Sequence, residues 1–363
     1  MLPLAGLTVV ALEQAVAAPF ATARLADAGA RVLKFERPGG DFARGYDDVA
    51  KGQSSYFVWL NRGKTSVLAD LATDAGMTRL RDALAEADVL VCNFRPGALG
   101  RLGFTDAVLA RDYPRLIACI ISGYGNDGPM ADRKAYDLLI QAESGLCSIT
   151  GGPSEPSRVG VSVVDIATGA TAHAAILEAL IARGITGKGA MIGVSMFDVM
   201  ADWLTVPLLN HEGGKTPQRV GLAHPSIAPY GVFTTRDGVQ VLISIQSERE
   251  WAVLCRDVLG DAGLAQDPEL SSNVARVRQR ARCDALVAAA FARRSAAETE
   301  AVLAAADIAF ARVNDMAGLS AHPHLRRITV ETENGPVSIP APGARVAGED
   351  RTYGPVPALP TTE

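Results

Sequence analysis

Residues 7–36 read LTVVALEQAVAAPFATARLADAGARVLKFE, and this stretch decides the fold class. Leu7 to Leu12 is a short apolar run typical of a buried strand. The segment after it has helical character, with Pro19 at its start and Gly29 as its stop. Arg31 to Glu36 then reads as a second strand. A strand, a helix and a strand in this order predict parallel pairing with a right-handed crossover, the beginning of a doubly wound α/β sheet.

The same alternation continues outward from this unit. Its further members are predicted strands at Ser66–Leu71, Asp88–Asn93, Leu116–Ser122 and Met191–Ser195, and a helix at Ala75–Ala87. An apolar helix from Met196 to Asn210 follows the last strand, and we expect it to be buried between subunits or domains. The pattern therefore predicts a large Rossmann-like domain with a parallel sheet.

A Gly, Pro and polar link from His211 to Ala228 marks a domain boundary. Beyond it, PYGVFTTRDGVQVLISI predicts a hairpin whose turn is Asp237-Gly238. Helices from Arg249 to Leu259 and across 274–305, then a strand at Ile308–Val313, complete a smaller α+β domain. We predict a large domain at 1–210, a small domain at 211–320 and a C-terminal tail at 321–363.

The composition excludes several classes of protein. The chain has 363 residues, 48% of them hydrophobic and 21% charged, with a formal net charge of -5 and no run of Lys or Arg. These values argue against nucleic acid as a partner. The five cysteines form no CxxC pair, so no zinc site or disulfide framework is expected. With neither a signal peptide nor a membrane span predicted, we expect a cytoplasmic protein that does not bind membranes.

Three loops at predicted strand ends carry residues that bind anions. They are residues 36–41, 61–64 and 93–97. Because ligands bind at the carboxyl ends of parallel strands, Arg37, Arg95 and Arg101 would suit a ligand with several phosphates. The GxGxxG pattern at Gly123 to Gly128 lacks a following helix and a downstream acidic residue, so a nicotinamide dinucleotide site is rejected.

Asp165 is the candidate catalytic residue. The run from Val159 to Val164 is β-branched, and helical spacing begins after Asp165, so we expect it at a strand-to-helix junction. There its carboxylate would accept hydrogen bonds from the first helical N–H groups, which would also stabilise an oxyanion. Taken alone, this position is explained better by an ordinary N-cap, and the catalytic interpretation depends on the residues that accompany Asp165. Tyr136 and Asp137, at the start of the preceding predicted helix, are explained equally well as packing and capping residues.

Six blocks in order make the chain similar to the class III coenzyme A transferases, a family that shares a superfamily with α-methylacyl-CoA racemase. They are LADAGARVLKFERPGGDFAR, LNRGKTSVLADL, ADVLVCNFRPGALGRLGF, RLIACIISGYGNDGP, TGKGAMIGVSMFD and PYGVFTTRDG, together with the segment around Asp165. The resemblance implies an interlocked homodimer and a tail that returns to the large domain. It also implies coenzyme A thioesters as substrates, with no permanently bound cofactor and no metal.

The resemblance also implies roles for single residues. Asp165 matches the nucleophile of the family. The positions that match contacts to CoA are Arg37, Asn93, Phe94, Ala98, Arg101, Leu102 and Lys134. Those around the acyl pocket are Tyr46, Tyr56, Tyr136 and Asp137. Independently of the resemblance, the side chains of His224 and Arg219 are able to donate to a second carboxylate of the substrate.

Two departures from formyl-CoA transferase argue against oxalate or formate chemistry. Val16 stands where that enzyme has glutamine, with Gln14 two positions away, and 221–226 lacks its glycine run. We predict transfer from succinyl-CoA to a short dicarboxylate such as itaconate, mesaconate or citramalate. The alternatives are a bulkier monocarboxylate or carnitine as acceptor, a racemase, or a CoA-binding protein without activity. A racemase needs a histidine where Tyr136 stands, and loss of activity disagrees with the presence of Asp165.

Overall fold

The structure, a computed structural model, describes residues 1–349 and 351–361. The chain forms two compact units. The first unit comprises residues 1–146, 158–208 and the chain from 326 onward, and the second comprises 147–157 and 209–325. The predicted boundary at 210 thus lies two residues beyond the observed one, and 147–157, assigned to the large domain from sequence, belongs to the second unit.

Six strands form the sheet of the first unit, and every neighbouring pair is parallel. They are β1 (Thr8–Leu12), β2 (Arg31–Glu36), β3 (Lys64–Leu68), β4 (Val89–Cys92), β5 (Ile117–Ser122) and β6 (Ala190–Ser195). Their order is β3-β2-β1-β4-β5-β6, which reverses direction between β1 and β4. This is the doubly wound order, so the α/β prediction is confirmed.

The helices of the first unit cover both faces of this sheet. They are α1 (Ala17–Asp27), α2 (Ser55–Asn61), α3 (Asp74–Ala85), α4 (Ala98–Arg101), α5 (Asp106–Asp112), α6 (Asp137–Glu143), α7 (Leu146–Ile149), α8 (Val163–Thr186), α9 (Met196–Trp203) and α10 (Thr205–Glu212), with a 3-10 helix at Phe42–Gly45. Helices α7 and α10 extend across unit boundaries.

Alternation along β1 directs side chains into two separate cores. Val9 and Ala11 join a core with α1, α8 and α9, whereas Val10 and Leu12 join a second core with α3 and α5. Because successive side chains of a strand point to opposite faces, a strand buried on both sides is apolar throughout. This explains the uninterrupted apolar run that marks β1 in the sequence.

Two local predictions are wrong. The β-branched run from Val159 to Val164 is not a strand, because it is interrupted by a bend at Gly160 and the helix α8 already begins at Val163. The single apolar helix predicted from Met196 to Asn210 is two helices, α9 and α10, that meet at Leu204. Within this chain α10 buries none of its residues.

Helix α8 is the one described helix whose length and composition would allow it to cross a membrane. In this structure its residues Val164, Ala167, Ala172 and Ile176 belong to the core that also contains β1 and α1. A core helix of an α/β unit has a similar apolar composition, and 33% of the apolar window of α8 is buried in this structure.

The second unit is built on an antiparallel sheet of order β7-β8-β9, with β7 (Tyr230–Thr234), β8 (Gln240–Ser244) and β9 (Ala309–Arg312). The predicted hairpin, with its turn at Asp237-Gly238, is confirmed. The helices are α11 (Glu248–Val253), a π-helix (Leu254–Leu259), a 3-10 helix (Ala262–Gln266), α12 (Asn273–Arg278), α13 (Arg280–Phe291), α14 (Ala296–Ala305) and α15 (Met316–Ser320). The hairpin of β10 (Arg327–Val330) and β11 (Val337–Pro340) belongs to the first unit and packs on α2.

Candidate active site

A cleft of about 980 Å³ opens in the first unit at the carboxyl ends of the parallel strands. Its lining includes Gln14, Arg37 and Asn93, which follow β1, β2 and β4, and Ser122, the last residue of β5. These strand ends flank the point where the strand order reverses. Ligands of open α/β sheets bind at this position, so the topology itself identifies the cleft as the candidate site.

The cleft is basic although the chain is acidic. Three acidic side chains line it, Asp132, Asp137 and Asp165, against six basic ones, Arg37, Arg95, Arg101, Arg133, Lys134 and Arg158. The formal net charge of the whole chain is -5. This local excess of positive charge favours an anionic ligand, and guanidinium groups are suited to phosphate or carboxylate oxygens.

The loops after β1 and β4 are tied to each other at the floor of the cleft. The Gln14 backbone N–H donates to Asn93 Oδ1 at 2.9 Å, and Asn93 Nδ2 donates to the Gln14 carbonyl at 2.8 Å. After Asn93 the chain turns through Gly97, whose φ of 73° favours glycine, and α4 begins there. The paired loops therefore present their side chains from a fixed backbone.

A buried network of charges supports the same loop from below. Lys34 and Lys64 both donate to the Glu13 carboxylate, at 3.4 and 2.6 Å, and Lys34 also donates to Asp41 at 2.9 Å. Asp41 in turn accepts the N–H of Ala15 at 3.3 Å. Ala15 has a φ of 61°, a left-handed conformation that costs free energy in a residue other than glycine. The network therefore holds a strained backbone in the cleft wall.

Asp165 is the third residue of α8 and lies in the wall of the cleft, not at a strand end. The first four N–H groups of α8 already have acceptors: Val163 donates to the Val161 carbonyl, Val164 and Asp165 donate to Asp137 Oδ1, and Ile166 donates to the Ser162 carbonyl. The expectation that these groups bind the Asp165 carboxylate or an oxyanion is therefore wrong. The Asp165 carboxyl therefore does not cap its own helix, and the residue lines the cleft.

Burial, together with the smaller effect of the nearby charge of Asp137, raises the pKa of the Asp165 carboxyl to about 7. Taking a carboxylate out of water disfavours its charged form, and a second negative charge acts in the same direction. The group is therefore divided between its protonated and ionised forms near neutral pH. Perturbed carboxyl groups in clefts are typical of catalytic sites.

Tyrosines form one side of the cleft near Asp165. The Tyr56 hydroxyl lies 3.3 Å from Ser162 Oγ, and the ring of Tyr46 packs edge-on against that of Tyr56 with centroids 5.6 Å apart. Burial, together with the smaller effects of the charges of Asp41 and Asp165, raises the pKa of Tyr46 to about 12. Tyr46 therefore stays protonated and able to donate a hydrogen bond. Tyr136 also lines the cleft and is largely exposed.

Most of the predicted site residues meet in this cleft. They are Asp165, Arg37, Asn93, Phe94, Ala98, Arg101, Lys134, Tyr46, Tyr56, Tyr136 and Asp137. Leu102 instead packs against the core beneath the sheet. His224 and Arg219 belong to the second unit, where the His224 ring stacks on Tyr230 and Arg219 donates to the carbonyls of Ser148 and Gly152.

Several cleft residues were not predicted from the sequence, among them Arg133, Arg158, Ser162 and Met196. Arg133 precedes the predicted Lys134, and Ser162 precedes the first turn of α8, so proximity to chosen residues was the available signal. Arg158 and Met196 had no such signal, since the folding of two distant segments brings them here. Gln14, weighed in the sequence only as a displaced glutamine, does line the cleft.

A doubly wound sheet, a basic cleft at its switch point and a carboxyl with a perturbed pKa in that cleft define an enzyme that acts on an anionic substrate. The sequence profile of CoA-transferase family III matches residues 4–361. The chain therefore belongs to this family of transferase enzymes, which use CoA thioesters as substrates, and the family predicted from the sequence is confirmed.

Named relatives extend this result. The chain is 37% identical to acetyl-CoA:oxalate CoA-transferase of Acetobacter aceti over 96% of its length and 90% of the relative. It is 35% identical to succinate–glutarate CoA-transferase of Agrobacterium fabrum over 94% of its length and 88% of the relative. Succinyl-CoA:mesaconate CoA-transferase of Haloarcula hispanica is 34% identical over 74% of this chain and 70% of the relative.

A solved structure shows the same fold. The crystal structure of a CAIB/BAIF family protein from Brucella suis superposes with a TM-score of 0.84 at 36% identity. The match covers 99% of this chain and 96% of that protein.

Proposed function

We propose that this enzyme moves CoA from succinyl-CoA to a short dicarboxylate of the itaconate, mesaconate or citramalate kind through a thioester on Asp165. The observation that carries the proposal is the Asp165 carboxyl in the wall of a basic cleft at the switch point of the sheet. A carboxylate is the side chain suited to this reaction, because it can form both an anhydride and a thioester.

The reaction needs four acyl transfers. The ionised Asp165 carboxylate attacks the donor thioester carbonyl, which gives a mixed anhydride and releases CoA thiolate. The thiolate attacks the aspartyl carbonyl and releases the donor acid, so Asp165 then carries CoA as a thioester. The acceptor carboxylate attacks that thioester and releases CoA thiolate, which next attacks the acceptor carbonyl of the new anhydride. The product is acceptor-CoA, and the Asp165 carboxylate is regenerated.

Basic residues on the strand-end loops are suited to hold CoA. Arg37, Arg101 and Lys134 line the cleft from three different segments, with Arg101 at the end of α4, and each would pair with phosphate oxygens. Asn93, Phe94 and Ala98 follow β4 and would contact the remainder of the ligand. Asn93 is already fixed by its two hydrogen bonds to Gln14. The side chain of Leu102 packs on the core, so its proposed role is to support the neighbouring CoA-binding residues.

The acceptor is proposed to be a dicarboxylate because the relatives named above act on oxalate, glutarate and mesaconate, which all have two carboxyl groups. The oxalate relative weakens the argument that the departures at Val16 and 221–226 exclude oxalate. Tyr46, Tyr56 and Arg158 offer hydrogen-bond donors in the cleft for the second carboxylate. Arg219 already donates to backbone carbonyls of its own unit. A role for His224 in binding the acceptor remains part of this proposal.

We also propose a homodimer that works in the cytoplasm. Apolar side chains that are exposed in the single chain favour association, among them Ile181, Ile185, Trp203 and Leu209. Large apolar patches on a soluble protein mark interaction surfaces. Sedimentation of the purified protein would distinguish a dimer from a monomer.

A panel assay tests the proposed function. Succinyl-CoA and acetyl-CoA are supplied as donors against C2 to C6 dicarboxylates, monocarboxylates and carnitine, and each acyl-CoA is followed by mass spectrometry. We expect turnover with C4 to C6 dicarboxylates, loss of turnover in Asp165→Ala, and hydroxylamine or borohydride trapping on Asp165 in substrate-loaded enzyme. Turnover confined to monocarboxylates or carnitine would contradict the acceptor, and trapping on another carboxyl would contradict the nucleophile.

The racemase alternative predicts a different product. A racemase exchanges the C2 hydrogen of a 2-methylacyl-CoA with deuterium in the absence of any acceptor acid. Tyr136 stands at the position of the required base, and a phenol is a weaker general base than the imidazole of histidine. We therefore expect no exchange. Exchange without acyl transfer would favour the racemase.

A further inference from the structure

The carboxylate of Asp137 connects the beginning of α6 to the beginning of α8. Asp137 Oδ1 accepts the backbone N–H of Val164 at 2.8 Å and that of Asp165 at 3.3 Å. Asp137 Oδ2 accepts from the Gln141 side-chain amide at 2.7 Å. A carboxylate at this position caps the helix and interacts favourably with its dipole.

Gln141 extends the connection to the segment before α8. Its side chain is fully buried, and its Oε1 accepts the backbone N–H of Val159 at 2.9 Å. Both ends of the Gln141 amide are therefore used, one by Asp137 and the other by the segment that leads into α8. The pair Asp137 and Gln141 holds the backbone on both sides of the first turn that carries Asp165.

We propose that Asp137 is a positioning residue for the nucleophile rather than a contact to the acyl group, and that its negative charge favours acylation of Asp165. This inference deepens the proposed function and rests on it. The physical reason is like-charge repulsion. Two ionised carboxyl groups at adjacent positions repel each other, whereas an acylated Asp165 is neutral, so forming the anhydride or thioester removes the repulsion.

The other groups around Asp165 leave Asp137 as its main charged neighbour. Tyr136 precedes α6, and Tyr46 and Tyr56 lie on the tyrosine side of the cleft, where the raised pKa of Tyr46 keeps its hydroxyl protonated. Arg158 lies on the segment before α8, and its guanidinium donates to the carbonyls of Val159 and Gly160.

The elements packed against α8 add no charge to this wall of the cleft. The lining residues of α1 and its N-cap, Ala17 and Val16, and Met196 of α9 are uncharged. The direction of the Asp165 pKa agrees with this arrangement, since burial raises it first and Asp137 raises it further.

The test compares a change of charge with a change of position. Asp137→Asn keeps an oxygen for the two N–H groups of α8 and removes the charge, and Asp137→Ser is a second neutral capping variant if the first folds poorly. Gln141→Met breaks the hydrogen bonds of the amide and leaves the Asp137 charge in place. The pH dependence of kcat/KM is measured for each variant, with hydroxylamine trapping of the acyl-enzyme.

The neutral variants should move the ascending limb of the pH profile to lower pH by roughly one unit, because Asp165 then ionises more easily. They should also accumulate less trapped Asp165 at saturating donor. Gln141→Met should lower kcat without moving the limb. If the ascending limb of the pH profile is unchanged in both neutral variants while Asp165 is still trapped in the wild-type enzyme, the role of Asp137 is overturned and the proposed function is not. If wild-type Asp165 is never trapped, the proposed function itself fails.

Discussion

Lys64 donates a hydrogen bond of 2.6 Å to the carboxylate of Glu13, and both side chains are completely buried below the cleft. Burial opposes the charge of each group. Even so, Lys64 and Lys34 together outweigh that cost at Glu13 and hold the pKa of its carboxyl below the usual value. A buried ion of this kind is stabilised only as long as its partners remain. Glu13 directly precedes Gln14 and Ala15. The backbone position of these two cleft residues therefore depends on the buried ion pair.

Glu13→Gln should destabilise the protein strongly. The substitution leaves the ammonium groups of Lys34 and Lys64 buried with one carboxylate fewer, and loss of one partner of a buried pair costs about 3 to 5 kcal/mol. Chemical denaturation should show a lower free energy of unfolding. Asp112→Asn removes the exposed partner of Arg111 and serves as the control, for which no measurable change is expected. Equal stability of both variants would show that the buried network is not needed.

Asp165→Asn should stabilise the protein, and more so at higher pH. The folded pKa of Asp165 is about 7, above its unfolded value near 3.8. The unfolded chain therefore releases this proton first, and stability falls as pH rises from about 4 to about 7, by at most about 4 kcal/mol. Asp165→Asn has no carboxyl to ionise, so its free energy of unfolding does not fall over this pH range for this reason. Thermal unfolding should show similar stabilities near pH 4 and a higher Tm for Asp165→Asn near pH 8, and a difference that does not vary with pH would refute the raised pKa.

Gly169→Ala should destabilise the packing of α8 on α1. A Cβ at Gly169 would lie 2.9 Å from Phe20 Cβ and would also clash with the Ala17 carbonyl oxygen. Overpacking of this kind costs about 1 to 3 kcal/mol. Gly184→Ala in the same helix is the matched control, because its Cβ would meet no atom within 4 Å. There alanine should stabilise the helix by about 0.5 to 1 kcal/mol, so denaturation should give changes of opposite sign.

Arg101→Ala should weaken CoA binding in a salt-dependent manner. Arg101 lies at the end of α4, lines the basic cleft and is proposed to pair with phosphate. We expect KM for the acyl-CoA donor to rise about tenfold or more, with a smaller effect on KM for the acceptor. Arg111→Ala, on the next helix and paired with Asp112, should leave both KM values unchanged. An equal rise for donor and acceptor would argue against a specific role in CoA binding.

The sequence by itself determined the elements whose signals are local. The apolar run of β1, the helix after it and the strand at Arg31–Glu36 were identified correctly, because a parallel strand buried on both faces is apolar throughout. The hairpin around Asp237-Gly238 was also identified, because an Asp-Gly pair between two β-rich runs favours a turn, although in the folded chain Asp237 also accepts the N–H of Ala296.

Tertiary structure decided what depends on distant partners. Asp165 lies in the cleft, but its hydrogen-bond surroundings could not be predicted, because the N–H groups of Val164 and Asp165 are bound by Asp137, which lies 27 and 28 positions away. The same holds for Arg158 and Met196, which reach the cleft only when separate segments pack together. Composition and spacing describe what one segment prefers, whereas burial and the perturbed pKa of Asp165 arise from groups that folding brings into contact.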